Sequence, residues 1–431
     1  MGLSERSKDA LPGIAQDSLS LLRHPGTIRA RCRSVLDAVA EERSPWFRVD
    51  RTRLREAAAR VATLTRRRFP DLKVPPHSRW RHFEAGGVDR KAELDERLAG
   101  RSAAEAARAR IDLTMVSVLL DAGAGPAWRY TDRDGRAYTR SEGLGVASFR
   151  AFMAGHFSAI EGEPLRVDAG VLARMSTTAL SEVFQVSADN PMVGLEGRAA
   201  LLARLGDLLA SAPATSARPH RPGQLYDRLC TDGVAPNRVS AAALLLQVLE
   251  MTDGIFRQGT PVMGRSVGDV WTHRWAGATV AGGGQDAVTI GVVPFHKLSQ
   301  WLAYSLLEPL GWAGIRVGEG DAEHAGLTGL PEYRNGGLLL DTGVIVPRDP
   351  RLTERRFKPG DEAIVEWRAI TVALLDELAV LVRESLGRSA AELPLASVLE
   401  GGTWAAGREI ALEKRAGGVP PFNIESDGTV F

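Results

Sequence analysis

The sequence predicts a mainly α protein: a single large helical domain with at most a small β-hairpin or sheet. Three observations carry this. Apolar residues recur at helical spacing in long segments along most of the chain. Strand-like patterning is confined to one short stretch. The 431 residues are 44% hydrophobic and 25% charged, an ordinary globular composition that excludes a wholly disordered or fibrous protein. About ten helices are expected over residues 1–431, with an N-terminal helical part over 1–110 and a second part over 111–431.

Arg29 to Glu42 places Val35, Leu36 and Val39 on one face. Thr52 to Arg67 repeats the design with Leu54, Ala57, Ala58, Val61 and Leu64, and Asp50 or Thr52 is its capping residue. Lys91 to Ala122 is helical with an interruption at Gly100, and it stops at the Gly123–Pro126 break. Residues 128–140 differ: Asp134-Gly135 sits between short runs bearing Tyr and Thr, which predicts a hairpin. Helix resumes near Leu144, then over Ser176–Val186 and Leu195–Ala210, separated by Asn190-Pro191. Residues 211–225 form a loop rich in Pro, Ser and Ala. Val239–Met251, Phe295–Leu307 and Ala363–Glu384 are the remaining long helices, and residues 259–291 read as a Gly-rich loop.

Charge and targeting signals are bland. Lys plus Arg is 54 against 53 for Asp plus Glu, a net charge of +1 that gives no general pull towards a polyanion. No nucleic-acid partner is expected. No apolar run approaches the ~18 residues of a spanning helix, and Ala241–Leu249 already contains Gln247, so no membrane partner is expected either. The start of the chain lacks the apolar middle of a secretory signal. Arg6 stands where a myristoylation pattern needs Ser or Thr. With only Cys32 and Cys230, a reducing, cytoplasmic setting is the expectation. The oligomeric state is left open.

The Gly-rich stretches lack the spacing of a phosphate-binding loop, so Gly282–Gly284 reads as a flexible loop or lid. The eight histidines include His77, His82, His273 and His296, with no HExxH and no Cys/His cluster. No metal and no cofactor is expected. Pro75 to Phe83, PPHSRWRHF, has two readings: Arg79 and Arg81 bind an anion through their forked donors, or the chain crosses here and packs Trp80 and Phe83 into the core. Leu327 to Val344, LTGLPEYRNGGLLLDTGV, is the most informative segment. Pro331 suits a first helical turn and Glu332 there complements the helix dipole. Glu332, Tyr333, Arg334 and Asn335 concentrate polar chemistry where the helix becomes apolar. A carboxylate on an apolar pocket wall stabilises an oxocarbenium-like transition state and polarises water.

Here the sequence resembles the queuosine-salvage nucleotide glycosidases, whose signature is LTxxxDYRxPQ. FHKLSQWL (295–302) is similar to that family's FYKRAQIL helix, and DNPMVGLEGRAALLARLG (189–206) to its PMPLxEER helix. IVEWRAITVALLDEL (364–378) is similar to its VEIRG helix and TWAAGREI (403–410) to its WDYAR segment. The chain more closely resembles the uracil-catabolism family, the fourth component of the URC pathway. That resemblance runs through PPHSRWRHF, TPVMGRSVGDVW, VPFHKLSQWLAYSLLEPL, LTGLPEYRNGGLLLD and SDGTVF.

The two resemblances imply a DNA-glycosylase-like helical fold, with residues 111–431 as the glycosidase-like part. They imply hydrolysis of the N-glycosidic bond of ribosylurea or its 5-phosphate, a small-molecule substrate. The glycosidases' catalytic Asp falls on Glu332, and their phosphate-binding Lys and Arg fall on Lys297 and Arg334. Their Trp-Asp pair becomes Trp404-Ala405. The Asp that recognises a large base is lost, which fits a smaller leaving group. His296, Asp269 and His273 are the candidate proton donors. Trp80, Trp301 and Tyr333 are candidate pocket walls, and Asn335, Arg79, Arg81 and Trp404 are further substrate-binding candidates. The alternatives are a metal-dependent amidohydrolase acting on a ureido intermediate, and a non-catalytic pyrimidine-nucleotide binding protein.

Overall fold

The computed structural model describes residues 18–212, 220–230, 236–277, 289–318 and 326–425. The start of the chain (1–17), the middle of the Pro/Ser/Ala-rich loop, Gly282–Gly284 and the SDGTVF motif lie outside them. The protein is mainly α, as the sequence predicts, and among the described residues its strands pair in twos.

The long helices sit where the apolar stripes put them: Pro25–Ala40, Leu54–Arg68, Leu195–Ala210, Ala241–Met251, Lys297–Trp312 and Glu362–Leu386. Their ends follow local chemistry. Gly100 separates Arg90–Leu98 from Ala103–Leu119, and Ser102 Oγ caps the second by accepting from Glu105 N at 3.2 Å. Of the two capping candidates before Leu54–Arg68, it is the Asp50 side chain that accepts, from Thr52 N at 3.0 Å, at the head of a short 3-10 turn. Gly387 ends Glu362–Leu386 in the left-handed conformation, φ 63°. The expected hairpin pairs Arg129–Thr131 with Ala137–Thr139, Tyr130 facing Tyr138.

Four further ladders were not legible. Phe47–Val49 pairs with Ile345–Pro347 and Val270–Thr272 with Val292–Pro294, both antiparallel. Arg238–Val239 pairs with Arg316–Val317 and Arg356–Phe357 with Asn423–Ile424, both parallel. Strands of two or three residues are too short to show alternation. The Gly-rich stretch 259–291 therefore contains a strand. Among the described residues no helix is long and apolar enough to cross a membrane.

The described residues form two compact units, each assembled from separated stretches of chain. The first comprises 18–77, 257–300 and 326–425. It is built on Glu362–Leu386, which is buried along most of its length, with Pro25–Ala40 and Leu54–Arg68 packed against it. Phe422 meets Phe47, Phe357 and Trp367 edge-on, with centroids 5.9, 6.0 and 4.9 Å away.

The second unit comprises 78–256 and 301–318 within the described residues. Its interior carries arginine–carboxylate pairs. Asp132 accepts from Arg90 at 2.8 Å and from Arg150 at 2.7 Å, and Arg221 Nε donates to the fully buried Asp112 at 2.7 Å. The forked guanidinium satisfies several acceptors at once, which makes such burial tolerable. Leu195–Ala210 packs against the short helix Ala169–Ala173 through Gly206. A Cβ there would lie 2.1 Å from Ala173 N and 2.6 Å from Ala169 O. Backbone cannot yield as a side chain does, so Gly206→Ala is expected to destabilise the protein by about 1–3 kcal/mol. Urea denaturation measures this, and an unchanged midpoint would contradict the packing described.

Candidate functional site

Nine of the thirteen residues the sequence singles out fall in the first unit: Glu332, Tyr333, Arg334, Asn335, Lys297, His296, Asp269, His273 and Trp404. Glu332 is the N-cap of the helix Tyr333–Asp341, one position earlier than the first turn expected for it. Its backbone is extended (φ −108°, ψ 164°), and its side chain curls back over the helix start. One carboxylate oxygen accepts from Arg334 N at 2.8 Å, the other from Asn335 N at 2.6 Å. Two orphan helix donors are thereby met and the carboxylate plane is fixed, while each oxygen keeps acceptor capacity. Burial pushes the Glu332 carboxyl up from its ordinary value, and outweighs the two amides and the nearby Lys297 and Arg334 cations, which pull it down.

Arg334 is buried, with its guanidinium 4.7 Å from the Tyr333 ring centroid and 5.7 Å from that of Trp404. Its Nε and Nη1 have no acceptor among the described residues. A buried cation with open donors is costly unless an anion or strong acceptor completes it. The helix Trp404–Lys414 lies directly on this turn: a Cβ on Gly407 would stand 2.1 Å from Arg334 O. It follows a π-helical turn, Leu399–Thr403.

Lys297 opens the helix Lys297–Trp312, and its backbone N–H donates to Asp269 Oδ2 at 3.0 Å. Asp269 is buried and fully engaged. It accepts both arms of Arg368, at 2.8 and 2.7 Å, and Trp271 Nε1 at 2.7 Å. Burial opposes ionisation, but Arg368 and the other donors hold its carboxyl down to about 2. These partners favour the ionised form of the Asp269 carboxyl.

His296 is engaged as well. It is buried, burial pulls its imidazole down to about 4, and Nε2 lies 3.1 Å from the Leu22 carbonyl. The neutral ring donates to that carbonyl. Its backbone is left-handed, φ 47°, a conformation that costs a non-glycine residue energy. It directly precedes Lys297 and is held by Asp269 O, which accepts from Phe295 N and His296 N at 2.9 and 3.2 Å. His273 has both ring nitrogens engaged: Nδ1 accepts from Trp275 N at 3.3 Å, which leaves Nε2–H to donate to the buried Glu366 at 3.2 Å.

Arg79, Arg81, Trp80 and Trp301 belong to the second unit, where their partners are internal. Arg79 pairs with Asp121 at 2.8 Å and donates to Ser117 Oγ at 2.7 Å. Arg81 pairs with Glu84 and Glu308. Trp80 is buried against Phe83 and Trp312, and Trp301 is buried beside His82. The core-packing reading of PPHSRWRHF describes the Trp80 and Phe83 contacts; Arg79 Nη2 and Arg81 Nε lack an acceptor among the described residues, but both guanidinium groups already pair with carboxylates, as that of Arg334 does not.

Sequence reasoning does not single out Arg368, which borders the candidate site. Besides gripping Asp269, it lies over the Phe295 ring at 4.1 Å and reaches Pro331 O, next to Glu332, at 3.4 Å. The signal was available: Glu366 and Arg368 are ionisable residues inside an otherwise apolar run, and such positions are retained only when paired. Among the described residues, no three His, Cys, Asp or Glu side chains gather into a group that would hold a metal.

Residues 21–431 match a family model described as "Protein of unknown function (DUF1688)". The chain is 38% identical over 410 residues to "Protein urg3" of Schizosaccharomyces pombe, covering 94% of this chain and 96% of that protein. It is 35% identical over 441 residues to "Uracil catabolism protein 4" of Lachancea kluyveri, covering 96% and 99%.

Removing the Asp269 charge strands Arg368, so Asp269→Asn is expected to cost about 3–5 kcal/mol in chemical denaturation. The parent's contribution from Asp269 has a defined pH window. The folded carboxyl is depressed from 3.8 to about 2, so its stabilisation is complete above pH 3.8 and is lost as pH falls from there towards 2. Asp269→Asn should flatten that part of the stability profile; an unchanged acid limb would contradict the pairing.

Proposed function

The chain belongs to the DUF1688 family, and from that membership we propose that it is an enzyme of uracil catabolism. Its reaction is hydrolysis of the N-glycosidic bond of ribosylurea or ribosylurea 5-phosphate, giving urea and ribose or ribose 5-phosphate. The observation that carries the reading is the first turn of Tyr333–Asp341. There a fixed, burial-raised carboxylate, Glu332, adjoins a buried guanidinium with open donors, Arg334, and feels the charge of Lys297.

In this mechanism Glu332 faces the anomeric carbon and stabilises the positive charge that grows there. Water attacks that carbon as the C–N bond breaks. One water proton passes to Glu332 and from it to the departing urea nitrogen, and the hydroxyl stays on the sugar. A single carboxyl serves as base and then acid, which its raised proton affinity suits. The shuttle also accommodates the engaged state of Asp269, His296 and His273. Arg334 and Lys297 take the 5-phosphate by charge-assisted hydrogen bonds, and Tyr333 and Trp404 flank the guanidinium.

The direct test is free urea after incubation with ribosylurea and with its 5-phosphate, separately. Release from neither removes the proposal. Glu332→Gln should abolish release while phosphorylated ligand still binds. The base form of Glu332 is the active one, so kcat/KM should fall as pH drops through its folded pKa, with a midpoint above the ordinary 4.5. A midpoint at or below that value would dismiss the proton shuttle. Lys297→Ala should weaken the phosphorylated substrate by on the order of tenfold or more and spare the unphosphorylated one; equal losses would mean that Lys297 does not serve the phosphate.

A further inference from the structure

Asn335 has an unsatisfied atom that the mechanism above does not use. The residue is 2% exposed. Its Nδ2 donates to Leu330 O at 3.1 Å, and its backbone N–H donates to Glu332 Oε1 at 2.6 Å. Its Oδ1 has no donor among the described residues. Exchanging the amide's oxygen and nitrogen would set two oxygens against each other at Leu330, so the orientation is fixed by the hydrogen bonding. A buried carbonyl oxygen without a donor is an uncompensated cost, and it lies on the residue whose amide grips the reactive carboxylate.

The first turn thus presents two unmet needs in consecutive positions, beside a carboxylate. Arg334 wants an acceptor and Asn335 wants an N–H, and Glu332, held by the amides of both, stands ready to take and return a proton. A free anion meets only the first need. A ureido group has N–H donors on both nitrogens, so it can give one to Asn335 while the other nitrogen is the one being released.

We infer that Asn335 Oδ1 accepts a hydrogen bond from the distal NH2 of the ureido leaving group, making Asn335 the residue that selects a urea over other leaving groups. This rests on the glycosidase reading and adds the identity of the leaving-group contact. Orphaning or removing one such buried partner corresponds to about tenfold or more in specificity.

The experiment compares kcat/KM for ribosylurea with that for a nitrophenyl riboside, whose leaving group offers no N–H, both in the phosphorylation state that is turned over. Asn335→Leu should lower the ratio of the two by about tenfold or more. Thermal melts of the variant check folding. Independently of any variant, the parent protein should turn over a ribosylurea with a dimethylated distal nitrogen about tenfold or more slowly than ribosylurea itself. Equal losses on both substrates in Asn335→Leu, or full activity on the dimethylated compound, would overturn the assignment. If the parent releases urea from no ribosylurea, the glycosidase reading itself fails; urea release with an unchanged ratio defeats the Asn335 role alone.

Discussion

The buried fork between Arg368 and Asp269 organises the chemistry of the first unit. Asp269 precedes a strand, caps the start of Lys297–Trp312 with its other lone pairs, and holds the backbone of Phe295 and His296. Arg368 comes from the middle of the central helix and touches the carbonyl before Glu332. One ion pair therefore fixes two helix starts, and those starts carry the lysine and the carboxylate of the proposed reaction. Such a pair contributes little net stability over an apolar substitute. Its value here is geometric: it makes the position of Lys297 depend on the same side chain that borders Glu332.

The long helices were legible because each shows an apolar stripe over three or more turns, and their ends were legible where a capping side chain or a glycine stood. Leu195–Ala210 is an instance, with the same ends in pattern and structure. The short ladders were hidden because pairing partners such as Phe47–Val49 and Ile345–Pro347 lie almost three hundred residues apart. No local pattern encodes that distance.

At the site, the run Glu-Tyr-Arg-Asn announced itself by polarity at the mouth of an apolar helix. What sequence did not disclose is which charges are already spent. Arg79 and Arg334 look alike as letters, each arginine beside an aromatic. The first pairs with the Asp121 carboxylate and donates to Ser117, leaving one nitrogen open, whereas the second has no carboxylate partner and leaves two nitrogens without an acceptor among the described residues. Asp269 and His296 are candidate acids for the same reason, and only the structure shows their partners: Arg368 on the carboxylate, and burial beside the Leu22 carbonyl for the ring.

The interleaved path of the chain has a further meaning for biogenesis. Pro25–Ala40 and Leu54–Arg68 leave the ribosome well before the helix that buries their apolar faces, Glu362–Leu386. Until that helix emerges, their apolar faces lack this partner, and transiently exposed apolar surface of that kind is what makes a nascent chain prone to aggregate.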